Sequence, residues 1–181
     1  MSRKFAFHNP EGLFFVSFAT IHWIDIFIRE AYCQILIDSL DFCRKQKGMQ
    51  IYAWCIMTNH LHLVFRAADA NPGDLMRSFK TFTSKRIRDA IEKNKRESRK
   101  SWMLYLMKQA ALYNSNSRNF QLWQQDNHPI ELWSQKFVDQ KVGYTHNNPV
   151  VAGFVNRAED WRYSSAIDYA GGKGLLEIDF L

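Results

Sequence analysis

Residues 13–20, Leu-Phe-Phe-Val-Ser-Phe-Ala-Thr, are almost continuously apolar, which suits a central strand of a sheet. Residues 23–27 continue as an apolar connection. From 30 to 47 the pattern changes period. Ala31, Ile35, Leu36, Leu40 and Cys43 recur at helical spacing, Lys45 and Lys47 fall in the last turn, and Gly48 stops the helix. Residues 50–57 and 61–66 are β-branched and aromatic, and only Thr58-Asn59 and their neighbours separate them, so they predict a hairpin. Asn71-Pro72-Gly73-Asp74 predicts a turn with Asp74 as cap, followed by a helix from 75 to about 93 that buries Leu75, Phe79, Phe82, Ile87 and Ile91. Strand, helix, strand, strand, helix is the order of an α+β fold. It matches the ferredoxin-like split βαβ, an antiparallel sheet with helices packed on one face.

The second half is less regular. Residues 94–101 are polar and predict a mobile connection; 102–113 predict a short apolar helix; Asn114-Ser115-Asn116-Ser117 predicts a loop. Phe120–Trp123 predicts a short strand and Asn127-His128-Pro129 a turn. A helix is expected from 130 to about 147, ended by Pro149, and another short one over 161–170. These are extra C-terminal helices on the core unit. Gly171-Gly172-Lys173-Gly174 precedes a β-like run over 175–181, so it is not a phosphate loop, which would open a helix. There is no internal repeat. The expectation is one domain over 1–181, with a divergent helical insertion at about 93–130.

Composition narrows the class. With 46% hydrophobic and 15% aromatic residues in 181, the chain has enough apolar mass for a core and is not disordered. Neither a membrane-span pattern nor a signal-peptide h-region after Met1-Ser2-Arg3-Lys4-Phe5 is visible. The three cysteines, Cys33, Cys43 and Cys55, lack metal-type spacing and predict buried free thiols in a reducing cytoplasm. Charge is the sharper signal. Between Arg77 and Lys100 ten basic residues face three acids, an excess larger than the +6 of the whole chain. A localised basic element points to a polyanion, with nucleic acid the commonest; the plain alternative is a solvated helix and charged loop.

Two constellations carry chemistry. His60-Leu61-His62 begins the second hairpin strand, so both imidazoles project to one face and Leu61 to the other. Two imidazoles on a strand begin a divalent metal site but do not complete one, and such a pair is often only polar surface. Tyr144 and Asn148, four apart near a helix end, share a face. An amide oxygen suits a hard divalent ion; equally, the asparagines could cap the helix and Tyr144 could pack. His146 reads as structural or nucleic-acid-facing, and His8, His22 and His128 as surface or packing residues.

Taken together, Tyr52–Phe65 with Asn59-His60-Leu61-His62-Leu63, then Tyr144-Thr145-His146-Asn147-Asn148-Pro149-Val150-Val151-Ala152-Gly153-Phe154-Val155, then Glu159-Asp160-Trp161-Arg162-Tyr163-Ser164-Ser165-Ala166, resemble the REP-associated tyrosine transposases, a branch of the HUH single-strand transposases and nickases. The match spans most of the chain except about 93–130. The resemblance implies a transposase that cleaves and rejoins single-stranded DNA at hairpin-flanking sites through a 5′-phosphotyrosine. It implies His60, His62 and Asn148 as ligands of Mg²⁺ or Mn²⁺, Tyr144 as nucleophile, single-stranded DNA hairpins as partner and a homodimer. In that setting Arg77, Lys80, Lys85, Arg86 and Arg88 would contact DNA phosphates. The competing classes are a relative that binds hairpins without cutting, and a metal phosphodiesterase that activates water.

Overall fold

The computed structural model describes residues 7–68, 70–114, 119–125 and 129–180. The loop expected at 115–117 and the turn at 127–128, with His128, lie outside the described residues. The elements are β1 (Phe14–Ala19), α1 (Glu30–Gln46), β2 (Met49–Ile56), β3 (His60–Ala67), α2 (Pro72–Lys93), α3 (Lys100–Leu112), β4 (Ile130–Glu131), α4 (Gln135–Val151) and α5 (Ala166–Tyr169). The sheet runs β2-β3-β1-β4 and every pairing is antiparallel. This is the expected α+β split βαβ. Gly48, at φ 64°, turns α1 into β2, a conformation glycine adopts without steric cost.

Strand alternation sorts the side chains into two layers. Phe14, Val16 and Phe18 of β1 and Leu61, Leu63 and Phe65 of β3 join one core with α1, α2 and α3. Phe15, Ala53 and Val64 point to the other face and pack with Leu132 and Val138. There α4 covers β2 and β3, so the extra C-terminal part closes the face that α1 and α2 leave open. Pairing sets Ser17 opposite His62 and Ala19 opposite His60 on this second face. A register shift between Ile51 and Ala53 lets Tyr52 and Ala53 both join that layer.

Several expectations are corrected. Asn71, not Asp74, caps α2: its Oδ1 accepts from Gly73 and Asp74 N–H, and Pro72 occupies the first turn, where a missing N–H is harmless. Phe82 is 54% exposed, because the buried stripe of α2 runs through Leu75, Met76, Phe79, Thr83, Ile87 and Ile91. The polar segment after α2 is anchored: buried Glu97 accepts from Arg29 and Arg99, and Arg99 Nη1 also donates to the Asp25 carbonyl at 2.9 Å. Phe120–Trp123 forms no strand. Its apolarity serves to bury Leu122 and Trp123, with one bridge between Thr20 and Trp123. Residues 130–131 pair with β1 instead of opening a helix; Ser134 caps α4.

Pro149 lies inside α4 rather than ending it. The helix closes through Ala152 N–H to Asn148 C=O and Phe154 N–H to Pro149 C=O, with Gly153 left-handed at φ 76°. Residues 161–165 are turns, one bridging Cys55 through Ser164, and α5 follows. The 175–180 run forms no strand, although Asp179 bonds Ile51 through both its N–H and its carboxylate. All three cysteines are buried and free. Among the described residues no helix is long and apolar enough to cross a membrane.

Candidate metal and nucleophile site

His60 and His62 stand side by side on β3, ring centroids 4.6 Å apart, facing α4. Across from them α4 presents Tyr144, whose ring meets His62 edge-on at 5.1 Å. Asn148, one turn further along, hydrogen-bonds His60. The strand pair and the helix face thus bring together the four residues that the sequence set apart by more than eighty positions.

The protonation of His60 follows from its neighbours. Its Nδ1 lies 2.7 Å from Asn59 Oδ1. An amide oxygen can only accept, so Nδ1 carries the proton and Nε2 keeps its lone pair. The assignment of Asn59 is fixed in turn, since its Nδ2 donates to Trp23 C=O and Asp25 Oδ1. Burial lowers the His60 pKa, with Asn148 opposing it. His62 is 3% exposed, and neither ring nitrogen has a partner within the described residues. Burial, then His60 and Lys141, push its pKa down to about 3. At neutral pH both rings are uncharged, which is the form that binds metal.

A buried ring with two orphaned nitrogens is costly unless something occupies the space before it. Two neutral imidazoles and the Asn148 amide fit a divalent ion that leaves its other positions to water or a phosphate. Among the described residues no three His, Cys, Asp or Glu side chains gather as a metal cluster.

Three contributors escaped sequence reasoning. Phe15 stacks on His62 at 5.5 Å and touches Tyr144 at 5.8 Å. Lys141 places Nζ over both the Phe15 and Tyr144 rings, at 4.7 and 5.4 Å. Its position three residues before Tyr144 on the same helix was the available signal. Trp23 approaches His60 edge-on at 5.8 Å; nothing in the local pattern marks it.

The basic residues of α2 are elsewhere. They sit on the helix layer across the sheet from the histidines. Arg77 pairs with Asp74, Lys80 donates to Gln124 C=O at 2.7 Å, and Arg88 pairs with Asp89 and lies over Phe120. Lys85 and Arg86 are exposed.

His146 is structural. Its Nε2 lies 2.8 Å from Ser165 Oγ, which also accepts from Trp54 N–H, tying α4 to β2. Ser165→Ala removes a buried partner from two groups at once and is expected to lower unfolding free energy by about 1–3 kcal/mol in urea melts. Acid acts on the same buried rings. Burial sets His146 near 4 and His62 near 3, whereas unfolded imidazoles titrate near 6.5. The unfolded chain therefore binds more protons, and stability falls as pH drops below about 6.5 toward 4, by up to ~1.4 kcal/mol per unit per ring. About a pH unit above 6.5 the slope from these rings fades out, because the unfolded imidazoles are then neutral too. Urea midpoints at pH 7, 6 and 5 measure it.

Known proteins share part of this sequence and the fold. Residues 24–108, which contain both histidines but not Tyr144, match the family model described as "Transposase IS200 like". A search of curated proteins finds no match. Among solved structures, a REP-associated tyrosine transposase bound to a REP hairpin matches with a TM-score of 0.65 and 17% identity, over 99% of this chain and 92% of that one. The protein is thus similar in sequence to the IS200-like transposases over residues 24–108, and it shares the fold of a REP-associated tyrosine transposase.

Proposed function

We propose that the protein is a metal-dependent single-stranded DNA transposase that cleaves and rejoins strands beside hairpins, with Tyr144 as nucleophile. The observation that carries this is the placement of a half-exposed phenol against a buried imidazole whose two nitrogens have no partner among the described residues. His60, His62 and Asn148 would hold Mg²⁺ or Mn²⁺. When bound, the ion would withdraw charge from the nonbridging oxygens of a phosphodiester.

The chain supplies the rest. The Tyr144 oxygen attacks phosphorus in line; a bond from that oxygen to phosphorus forms and the bond to the 3′-oxygen breaks, leaving a 5′-phosphotyrosine and a free 3′-hydroxyl. Attack by another 3′-hydroxyl on the tyrosyl ester reverses the step at a new junction, without ATP. Lys141 stands over the phenol ring, where a cation favours negative charge growing on the attacking group. Phe15 and the aliphatic neighbours exclude water from the inner side of the His62 ring. Arg77, Lys85, Arg86 and Arg88 belong to α2, in the layer across the sheet from the histidines. Their proposed role is to hold the phosphates of the flanking hairpin, with Lys80 contributing charge from its tethered position.

The test is a hairpin DNA with single-stranded flanks, incubated with the protein and Mn²⁺ and run on a denaturing gel. A covalent protein–DNA adduct is expected. Hairpin binding without an adduct would instead identify a non-catalytic binder, and nicked DNA free of protein would identify water as the nucleophile.

A further inference from the structure

The turn after β1 displays its indole and hides its two isoleucines. Ile21 and Ile24 are each 4% exposed, while the Trp23 indole between them is 56% exposed. The backbone enforces this. His22 and Trp23 both have left-handed φ, 52° and 53°, a region that side chains with a Cβ occupy unfavourably and that recurs at functional sites. Trp23 N–H donates to Thr20 C=O at 3.1 Å, and Thr20 Oγ1 to Ile24 C=O at 2.9 Å, which locks the turn. Asn59 ties it to the hairpin. Its Nδ2 donates to Trp23 C=O at 3.3 Å while its Oδ1 accepts from His60 Nδ1, so one amide joins the turn's backbone to the imidazole.

The indole also borders a groove of about 580 Å³, whose lining includes Gln109, Tyr113 and Gln124. Tyr113 is 88% exposed, and among the described residues no carboxylate lines the groove. The nearby Asp25 is engaged by Thr58 and Asn59. Flat apolar ring faces and side-chain amides match the chemistry of a nucleobase. A base stands one sugar away from its own phosphate, the scale of the 5.8 Å between Trp23 and His60.

We propose that Trp23 is a stacking seat for an unpaired base of the strand whose phosphate lies at His60 and His62, fixing which bond is presented to Tyr144. This rests on the function proposed above. The seat acts through ring stacking, so it tolerates different bases and sets position more than sequence.

The test reads binding without chemistry. A DNA hairpin with a single-stranded 5′ flank is titrated onto Tyr144→Phe protein, alone and combined with Trp23→Ala or Trp23→Phe. A single abasic nucleotide is then walked along the flank. Trp23→Ala is expected to weaken binding of intact DNA by about 5- to 150-fold, the range for one lost base stack, and Trp23→Phe to retain most of the affinity. At one flank position the abasic DNA should bind Trp23 and Trp23→Ala proteins equally. Equal binding of intact DNA by both proteins overturns the seat. So does a Trp23→Ala loss that persists at every abasic position, which would mark a structural effect. The two proposals fail separately. An adduct made as well by Trp23→Ala as by the unaltered protein, at equal affinity, removes the seat and keeps the transposase. A position-specific stacking loss in a protein that never forms an adduct does the reverse.

Discussion

Tyr144→Phe is expected to form no covalent adduct with hairpin DNA, and strand cleavage to fall by at least ~10³-fold, the scale for a nucleophile removed while binding remains. The substitution is unusually clean. Tyr144 is 49% exposed and its hydroxyl bonds no described residue, so nothing buried loses a partner. The phenyl ring keeps its edge contacts to His62 and Phe15 and stays under Lys141. Stability should change by no more than about 0.5 kcal/mol, the range for a surface substitution that breaks no buried contact. Affinity for hairpin DNA should hold as well. Adduct yield on a denaturing gel, urea melts and binding titrations together separate a lost reaction from a lost fold. An undiminished adduct would move the nucleophile to another exposed phenol, Tyr105 or Tyr113, both on or just after α3.

How much of this was legible depended on whether the signal was local. β1, α1 and the β2–β3 hairpin each carry their own period, cap or turn, and their observed bounds lie within a residue or two of those read from sequence. The shared face of His60 and His62 follows from the two-residue period alone. Phe82 misled because an aromatic near the stripe of α2 looks buried, yet the stripe turns past it. Phe120–Trp123 and 130–131 misled in opposite ways: the first is apolar without pairing along its length, the second pairs for only two residues. Lys141 and Trp23 were invisible as site residues because each gains its meaning from a partner on another element. The charge of α2 was plain, but sequence gives a sign and not a face, and the fold turns that helix away from the histidines.

His62→Leu should abolish Mn²⁺ binding at the pair and reduce adduct formation by about 10²-fold or more, while leaving the protein as stable as before or more stable. The reason lies in what the ring does when nothing is bound. His62 is 3% exposed, stacked on Phe15 and edged by Tyr144, with neither nitrogen partnered by a described residue. Each buried, unsatisfied polar atom costs about 1–3 kcal/mol, and leucine of similar volume removes that cost in an already apolar setting. A histidine kept for its ring contacts to Phe15 and Tyr144 would behave in the opposite way, since leucine cannot reproduce them and the melting temperature would fall. Calorimetric Mn²⁺ titration and thermal melts of the two proteins decide between these. A His62→Leu protein that melts well below the original, or that still binds the metal, removes His62 from the ligand set. One that melts at or above it, without metal binding or adduct, identifies the strain on this ring as the stability given up for a metal site.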